Sequence, residues 1–395
     1  MGETLHATLQ MPALPRRPDG GAPRLLYVVT EDWYFLSHRL PMARAARAAG
    51  FDVHVATNIA DGAGAIEREG FVPHPVRFAR GKLSPFATLA TIWTLRRLHR
   101  KLAPDVVHHV ALQATVIGLL AALGRRVARI NTITGLGYSF ISDSRKARIV
   151  RRVVTALLRL LVDRPRSIAL VQNPDDRGLL LRLGIAAGRI VLIPGSGVDV
   201  VRLKPMPEPA GAITLGFVGR LLDDKGIRVL VAAHRQLRAK GLDIALLIAG
   251  TPDPANPASV SQTEAEAWGR EPGISWLGHV DDIATVWARA HIAVLPSRRE
   301  GLPKSLLEAA ACGRPMVATD APGCREVALP WRTGFLVPVD DAPALAAAIE
   351  ILAGDAELRA RYGRAARALA EERFSEGAIG RAITELYLRL VSYGG

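Results

Sequence analysis

Short apolar runs alternate along the chain with longer stretches whose apolar residues recur at helical spacing. The runs are apolar at nearly every position, which is typical of strands buried on both faces of a parallel sheet. Regular alternation of such strands with helices predicts an α/β fold with helices on both sides of each sheet. The predicted strands are Arg24–Thr30, Asp52–Thr57, Pro104–Leu112, Arg129–Thr134, Ile213–Arg220, Asp243–Gly250, Ile274–Val280 and His291–Pro296.

Two domains are predicted, because 395 residues exceed the usual size of a single hydrophobic core. The Pro-rich segment Lys204–Gly211 has the composition of a linker. Residues 375–395 are expected to form a final helix. The other expected segments are a loose tail over 1–23, a first domain over 24–195, a linker over 196–211 and a second domain over 212–374.

Composition and charge narrow the class of protein. A hydrophobic content of 49% excludes wholesale disorder. The two cysteines, Cys312 and Cys324, lack metal-site spacing and favour a reducing compartment. A net charge of +14 indicates an anionic partner, which is nucleic acid, an acidic membrane or a phosphorylated substrate. No apolar run is long enough to cross a bilayer and no signal-peptide pattern is seen, so we expect a cytoplasmic protein.

The stretch from Ser297 to Glu308 carries the clearest candidate chemistry. It follows a predicted strand, and Pro303 suits the first position of the next helix. Glu300 would then lie in a loop at the carboxyl end of the strand, with Glu308 one to two turns inside the helix. Ligands of open α/β sheets bind at this edge. Two carboxylates and the N–H groups of a helix start could there hold a polyhydroxyl group and a phosphate.

This strand–Glu–Gly–x–Pro–helix–Glu pattern, with the run that continues to Glu326, resembles the signature of the family 4 retaining glycosyltransferases. The resemblance covers about Leu25–Leu390 and is strongest after Gly219. It implies the GT-B fold, in which two Rossmann-like domains face a cleft and the last helix crosses back onto the first domain. Segments 33–39 and 132–140 look like those of members that assemble capsule and exopolysaccharide.

Two cations in the second half are candidates for holding a diphosphate. Arg220 ends a predicted strand and Lys225 precedes the next helix, so both lie beside the N–H groups of a helix start. The alternative is a surface ion pair with Asp223 or Asp224. In the resembled family, this element neutralises the diphosphate of the nucleotide donor.

The resemblance also assigns the rest of the donor site. It implies that Glu308 holds the ribose hydroxyls, that Glu300 contacts the donor sugar as a catalytic residue, and that the backbone near Val280 reads the nucleobase. The residues expected at the ribose and the sugar are Glu300, Gly301, Leu302, Pro303 and Glu308.

Adjacent histidines, His108 and His109, stand near the carboxyl end of a predicted strand. Histidine is the usual group for proton transfer or hydroxyl orientation at neutral pH. Relatives often carry His-x-His here, and the second His touches the donor sugar. This chain has Val110 at that position, so the resemblance assigns the catalytic role to His109, while His108 also stays a candidate for the residue that faces the cleft. The alternative is that both side chains serve packing and capping.

The resemblance places the acceptor in the first domain, near the loops that follow two strands. Ser37, His38 and Arg39 stand where many relatives have a Gly pair. Gly135 and Gly137 follow the strand that ends at Thr134, and glycine lets a backbone approach a ligand closely. The alternative for the first group is a capped helix start with an exposed His.

Two basic amphipathic helices are predicted in the first half. One covers Ser144–Val162 and the other covers Thr88–Lys101, which contains two pairs of basic residues. A basic amphipathic helix suits an anionic membrane surface. The alternative is a pair of core-packed helices with solvated arginines.

The resemblance implies a retaining glycosyltransferase, which we expect on the inner face of the cytoplasmic membrane. The expected donor is a nucleotide sugar, UDP-linked, carrying a hexose or N-acetylhexosamine, and the expected acceptor is a polyprenyl-diphosphate-linked sugar. No D-x-D occurs and no His/Cys cluster has ligand spacing, so neither a metal nor another cofactor is expected. One alternative is a nucleotide-sugar epimerase of the same fold. A basic nucleic-acid-binding protein is disfavoured, because aromatic residues are only 5% and form no stacking array.

Overall fold

The chain divides into two units in the computed structural model, which describes residues 14, 16–79, 84–133, 155–156, 158–160, 162–254 and 256–392. The first unit comprises Met1–Ile133, Tyr138–Leu170 and Gly380–Gly395. The second comprises Thr134–Gly137 and Val171–Ile379.

A parallel sheet forms in the first half of the chain. Its strands are β1 (Arg24–Glu31), β2 (Asp52–Asn58), β3 (Val72–Pro75), β4 (Val106–Val110), β5 (Ala128–Thr132), β6 (Ser167–Val171) and β7 (Ile190–Leu192). They lie in the order β3-β2-β1-β4-β5-β6-β7, and the pairs from β3 to β6 are all parallel. The order reverses between β1 and β4, which is the topological switch point where open α/β sheets bind ligands.

Five described helices belong to this half. They are α1 (Asp32–His38), α2 (Leu40–Ala48), α3 (Ala63–Arg68), α4 (Pro85–Leu102) and α5 (Leu112–Ala121). Helix α4 shows why the sequence folds this way: Ser84 caps it by accepting a bond from the Ala87 N–H, and Pro85 occupies its first position. The helix ends where Ala103 adopts a left-handed conformation with φ of 46°.

A second parallel sheet lies in the second unit. Its strands are β8 (Ile213–Val218), β9 (Ile244–Ala249), β10 (Ile274–Gly278), β11 (Ile292–Leu295), β12 (Met316–Thr319) and β13 (Gly334–Val337). The order β10-β9-β8-β11-β12-β13 is that of a Rossmann sheet, with its switch point between β8 and β11. Two α/β units with parallel sheets confirm the predicted fold class.

The remaining helices follow the pattern of the sequence. They are α6 (Pro174–Arg182), α7 (Ile227–Ala239), α8 (Gln262–Gly269), α9 (Ala284–Arg289), α10 (Lys304–Ala311), α11 (Ala342–Gly354), α12 (Ala356–Arg373) and α13 (Glu376–Ser392). From Gly380 onward, α13 belongs to the first unit. Tyr387 on this helix bonds the Tyr27 hydroxyl at 2.7 Å, and Gly380 lets the helix backbone approach Ala45.

The two units differ in charge. The first contains 27 of the 51 Lys and Arg residues but only 12 of the 37 Asp and Glu residues, a formal net charge of +15. The second contains 24 basic and 25 acidic residues, a formal net charge of −1. The basic character of the chain therefore belongs entirely to the first unit.

Candidate active site

Lys225 and Glu300 meet at the switch point of the second sheet. Lys225 lies in a 3₁₀ turn that follows β8, and Glu300 lies in the loop that follows β11. The Glu300 Oε1 atom accepts bonds from Lys225 Nζ at 2.5 Å and from Ser297 Oγ at 2.7 Å. Ser297 is fully buried and was not identified from the sequence. The fold thus places a cation and a carboxylate, 75 positions apart in sequence, in direct contact at the ligand-binding edge.

Two glycines allow the backbone to pack closely around this pair. Gly226 follows Lys225 with φ of 70°, and a Cβ there would lie 2.0 Å from the Pro296 carbonyl oxygen. Gly323 has φ of 78°, and a Cβ there would lie 2.6 Å from the Glu300 carbonyl oxygen. A side chain at either position would displace the loop that carries Glu300.

Helix α10 places Glu308 near this loop, with one correction to the sequence analysis. Pro303 is the residue before the first helical one, Lys304, whereas the sequence placed Pro303 inside the helix. Glu308 is the fifth residue of α10, buried, with Lys304 Nζ at 3.7 Å from its carboxylate. Burial raises the pKa of Glu308, and Lys304 and Arg202 counteract that rise. A buried carboxylate whose nearest cation lies 3.7 Å away retains capacity to accept further hydrogen bonds.

The Arg220 side chain is about half exposed and pairs with Asp253, a partner that was not predicted from the sequence. Its Nη1 donates to Asp253 Oδ2 at 2.9 Å, whereas Asp223 pairs with Arg228. Asp253 lies in the loop after β9. The specific alternative of an ion pair with Asp223 or Asp224 is therefore wrong, but an ion pair does form, and it is exposed enough to rearrange.

A buried polar group supports the glycine of the Glu300 loop. Asn173 is fully buried and its Nδ2 donates to the Gly301 carbonyl at 2.7 Å. A Cβ on Gly301 would lie 2.3 Å from Gln172 Oε1, so a side chain at this position would require the Gln172 side chain to move. Asp176 pairs with Arg299, and burial raises its pKa. Asn-Pro-Asp-Asp after an apolar run is a helix-start signal, but this support for the Glu300 loop was not predicted from it.

The remaining donor-side predictions fall on the same edge of the sheet. Val280 is half-buried in the loop that follows β10. Trp276 on β10 donates from Nε1 to the Gly250 carbonyl at 2.8 Å, which joins β10 to the loop after β9. Leu302 packs against the backbone of Gly195. The loops at the carboxyl ends of β8, β10 and β11 therefore carry every predicted donor residue up to the start of α10.

The structure corrects the prediction for His109. Its side chain is fully buried, with Nδ1 bonded to Asn131 Oδ1 at 2.8 Å and Nε2 against Gly118 of α5. Nε2 has no hydrogen-bond partner among the described residues. Burial lowers the pKa of His109 to about 4. A side chain without exposed atoms cannot contact a sugar, so His109 is a neutral core histidine, as the packing alternative stated.

His108 is also buried, in a network of four polar side chains. Its Nδ1 lies 2.6 Å from the Tyr387 hydroxyl, and its Nε2 lies 2.5 Å from Thr132 Oγ1. Tyr387 in turn bonds Tyr27. Burial lowers the pKa of His108 well below its ordinary value. Neither histidine of the pair is therefore exposed at the switch point of the first sheet.

Three of the five residues predicted on the acceptor side are described, and they have different surroundings. Ser37 Oγ lies 2.6 Å from His38 Nδ1, and the His38 ring stacks on Tyr34 with centroids 4.4 Å apart. Both residues end α1 and are partly exposed. Arg39 is 1% exposed, so the prediction that its side chain faces the acceptor is wrong in this structure. Its Nη1 lies 3.8 Å from Met42 Sδ.

Several sequence predictions lie outside the described residues. Gly135 and Gly137 are among them, and so is most of the basic helix predicted over Ser144–Val162. Within the described ranges, no group of three or more His, Cys, Asp or Glu side chains could hold a metal ion. In that same part of the chain, no helix combines the length and the apolar character needed to cross a membrane.

Comparison with known proteins places both halves of the chain in glycosyltransferase families. Residues 24–172 match the family described as glycosyl transferase 4-like, and residues 212–355 match glycosyl transferases group 1.

Two curated relatives and one solved structure illustrate the similarity. The chain is 27% identical over 328 residues to N,N'-diacetylbacillosaminyl-diphospho-undecaprenol alpha-1,3-N-acetylgalactosaminyltransferase of Campylobacter jejuni, covering 80% of this chain and 85% of the relative. It is 24% identical to the capsular polysaccharide biosynthesis glycosyltransferase CapM of Staphylococcus aureus, covering 89% and 94%. The structure of Anabaena HepE in complex with UDP and glucose has a similar fold, with a TM-score of 0.76, 19% identity and coverage of 92% and 98%.

Proposed function

Because the chain is a family 4-type glycosyltransferase with the GT-B fold, we propose that it moves a sugar from a UDP-linked donor to a polyprenyl-diphosphate-linked sugar. The transferred group is a hexose or an N-acetylhexosamine, and the product belongs to surface polysaccharide assembly. The observation that carries this proposal is the contact between Lys225 and Glu300 at the β8/β11 switch point. Two relatives support the substrates, since one is named for a diphospho-undecaprenol acceptor and another was solved with UDP and glucose.

The donor is held by the second unit in this proposal. Lys225 and Arg220 bind the diphosphate, and each exchanges its present carboxylate partner for phosphate oxygens. Release of Lys225 frees Glu300 to accept bonds from the sugar hydroxyls. Glu308 accepts bonds from the ribose hydroxyls, and the backbone near Val280 contacts the base.

The reaction proceeds with retention and needs no metal ion in this proposal. The bond from the anomeric carbon to the phosphate oxygen breaks, and the acceptor hydroxyl forms the new bond on the same face. The departing phosphate takes the hydroxyl proton. Lys225, Arg220 and the start of α10 stabilise the charge that develops on the leaving diphosphate.

A double displacement would require a carboxylate nucleophile. Two carboxylates are candidates by position after β1, Glu31 and Asp32. Asp32 is buried and accepts bonds from the N–H groups of Trp33, Ala60 and Gly62 at 2.7, 2.8 and 2.9 Å, and Glu31 accepts a bond from Asn58 Nδ2 at 3.4 Å. Because both carboxylates already have partners, we favour direct attack by the acceptor hydroxyl.

A transfer assay tests the proposal. We expect UDP-sugar and a polyprenyl-diphosphate-linked sugar to give an α-linked product, detected by NMR, with EDTA present. Release of an epimerised nucleotide sugar without any acceptor would instead identify an epimerase. A β-linked product from an α-configured donor would overturn the retaining mechanism, and full loss of activity with EDTA would overturn metal independence.

A further inference from the structure

Helix α4 exposes large apolar side chains on its outer face. Phe86 is 85% exposed, Leu89 61% and Trp93 57%. Their spacing of three and four residues places them on one side of the helix. The residues of the opposite side are buried and supply the contact with the core: Thr91, Leu95, His99 and Leu102. Helix α4 therefore has an exposed apolar face in addition to the face that packs against the core.

The outer face becomes basic toward the end of the helix. At 100° per residue, Arg97 and Arg100 continue the stripe that begins with the three apolar residues. The Arg97 guanidinium lies over the Trp93 ring, 5.7 Å from its centroid. Every residue of α4 is described, and none is Asp or Glu. One helix face thus presents an apolar half and a cationic half.

We propose that this surface, the α4 face formed by Phe86, Leu89, Trp93, Arg97 and Arg100, docks into the interfacial region of an anionic bilayer. The apolar half enters the boundary between headgroups and acyl chains, and the two arginines bind lipid phosphates. Trp93 has the ring chemistry that prefers this boundary.

The positive charge of the first unit favours a bilayer over a second copy of the chain as the occupant of this face. The first unit carries a formal net charge of +15, so pairing two α4 faces would bring four like-charged arginines together within one interface. An anionic bilayer provides an apolar layer and opposite charge at the same depth. The inference deepens the proposed function, because an enzyme that uses a lipid-linked acceptor works at a membrane. Vesicles without acceptor still test it separately.

A fluorescent label reports insertion directly. Cys312 and Cys324 are buried, so a cysteine introduced by Leu89→Cys can be labelled selectively with an environment-sensitive dye. Ile351→Cys is the matched control, because Ile351 is also an exposed apolar residue, 52% exposed, on helix α11 of the second unit. With vesicles of phosphatidylglycerol and phosphatidylcholine, we expect a blue shift at position 89 and none at 351. Binding to the vesicles without a shift at 89 would overturn the proposal.

Vesicle sedimentation measures the contribution of each half of the face. The triple variant Phe86→Gln, Leu89→Gln and Trp93→Gln should bind roughly tenfold or more weakly, even at low salt. Arg97→Gln and Arg100→Gln should each weaken binding about fivefold at low salt and less at high salt. Circular dichroism and transfer to a short-chain soluble acceptor check that the variants remain folded.

Two results would overturn the assignment of this face to a bilayer. Concentration-dependent dimerisation without lipid, abolished by the triple variant, would assign it to a second copy. Unchanged vesicle binding by the triple variant would mean that the bilayer contacts a different surface. Either result overturns the proposal and leaves the transferase assignment intact.

Discussion

The two units share one strand order but differ in what occupies the switch point. In the second unit, the loops after β8 and β11 bring the charged side chains of Lys225 and Glu300 together. In the first unit, the equivalent strands β1 and β4 carry a buried neutral network, in which Tyr27 stacks on His108 with ring centroids 5.0 Å apart. The first unit nevertheless has the entire net positive charge of the chain. The excess positive charge of the first unit lies outside this network, whereas in the second unit two opposite charges meet at the switch point.

The largest expected effect concerns the charged switch point. Lys225→Ala and Glu300→Ala should each lower kcat for sugar transfer by about 10²–10³-fold, because each removes a charged group at the reacting end of the donor. The control is Lys240→Ala, which breaks an exposed ion pair with Glu350 in the same unit. Wild-type kcat in a folded Glu300→Ala or Lys225→Ala variant would remove the site assignment.

Acid should destabilise the first unit. Burial lowers the pKa of His99 to about 3 and that of His109 to about 4. In the unfolded chain, these two histidines take up protons below about pH 6.5. In the folded unit they stay neutral until the pH approaches the lower values. Stability is therefore lost as pH falls through this window, by about 2–3 kcal/mol for the pair at pH 5.5.

Hydrogen exchange at pH 7.5 and 5.5 measures this loss separately in each unit. Protection of β4 amides should fall by more than that of β11 amides. In the second unit, burial also lowers the pKa values of His234 and His291, but the raised pKa values of Glu308 and Asp176 act in the opposite direction, with stability lost as pH rises. His99→Leu should reduce the pH dependence of β4, and an unchanged dependence would contradict the assignment of a neutral buried histidine.

Two glycines with similar φ angles distinguish two costs of adding a side chain: backbone strain and steric clash. Gly226 in the second unit has φ of 70° and would clash with Pro296, while Gly124 in the first has φ of 76° and no atom within 4 Å of an added Cβ. Gly226→Ala should destabilise the protein by about 2 kcal/mol more than Gly124→Ala, as measured by urea unfolding. Equal effects would mean that the loop beside Lys225 adapts without cost.

The smallest effect concerns the neutral network of the first unit. Tyr387→Phe removes one hydroxyl and leaves His108 Nδ1 without that bond, so we expect a loss of about 1–2 kcal/mol. Thr384→Val on the same helix is the control, since the buried Thr384 hydroxyl has no partner among the described residues. The transfer rate should be unchanged in both variants. A large loss of activity in Tyr387→Phe would give the network a functional role.

Sequence patterns predicted the elements well, because strands buried on both faces read as apolar runs. Burial on both faces also made the orientation of the histidines unpredictable. All five residues of β4 are buried, so periodicity could not show whether either side chain reaches a surface. The placement of Lys225 and Glu300 at one edge of the second sheet was predictable, because the loops after parallel strands lie at a fixed edge of the sheet. The contact between Asn173 and Gly301 spans 128 positions and depends on tertiary packing, which no local pattern contains.

The central claim is that the switch point of the second unit, and not that of the first, holds the donor. Calorimetric titration with a UDP-sugar tests it most directly, using wild type, Lys225→Ala and Ser37→Ala, since Ser37 lies after β1 in the first unit. We predict that Lys225→Ala weakens binding at least about tenfold, as expected for the loss of a charge-assisted bond, while Ser37→Ala leaves Kd unchanged. Unchanged affinity in Lys225→Ala, or a tenfold loss in Ser37→Ala, would contradict the account.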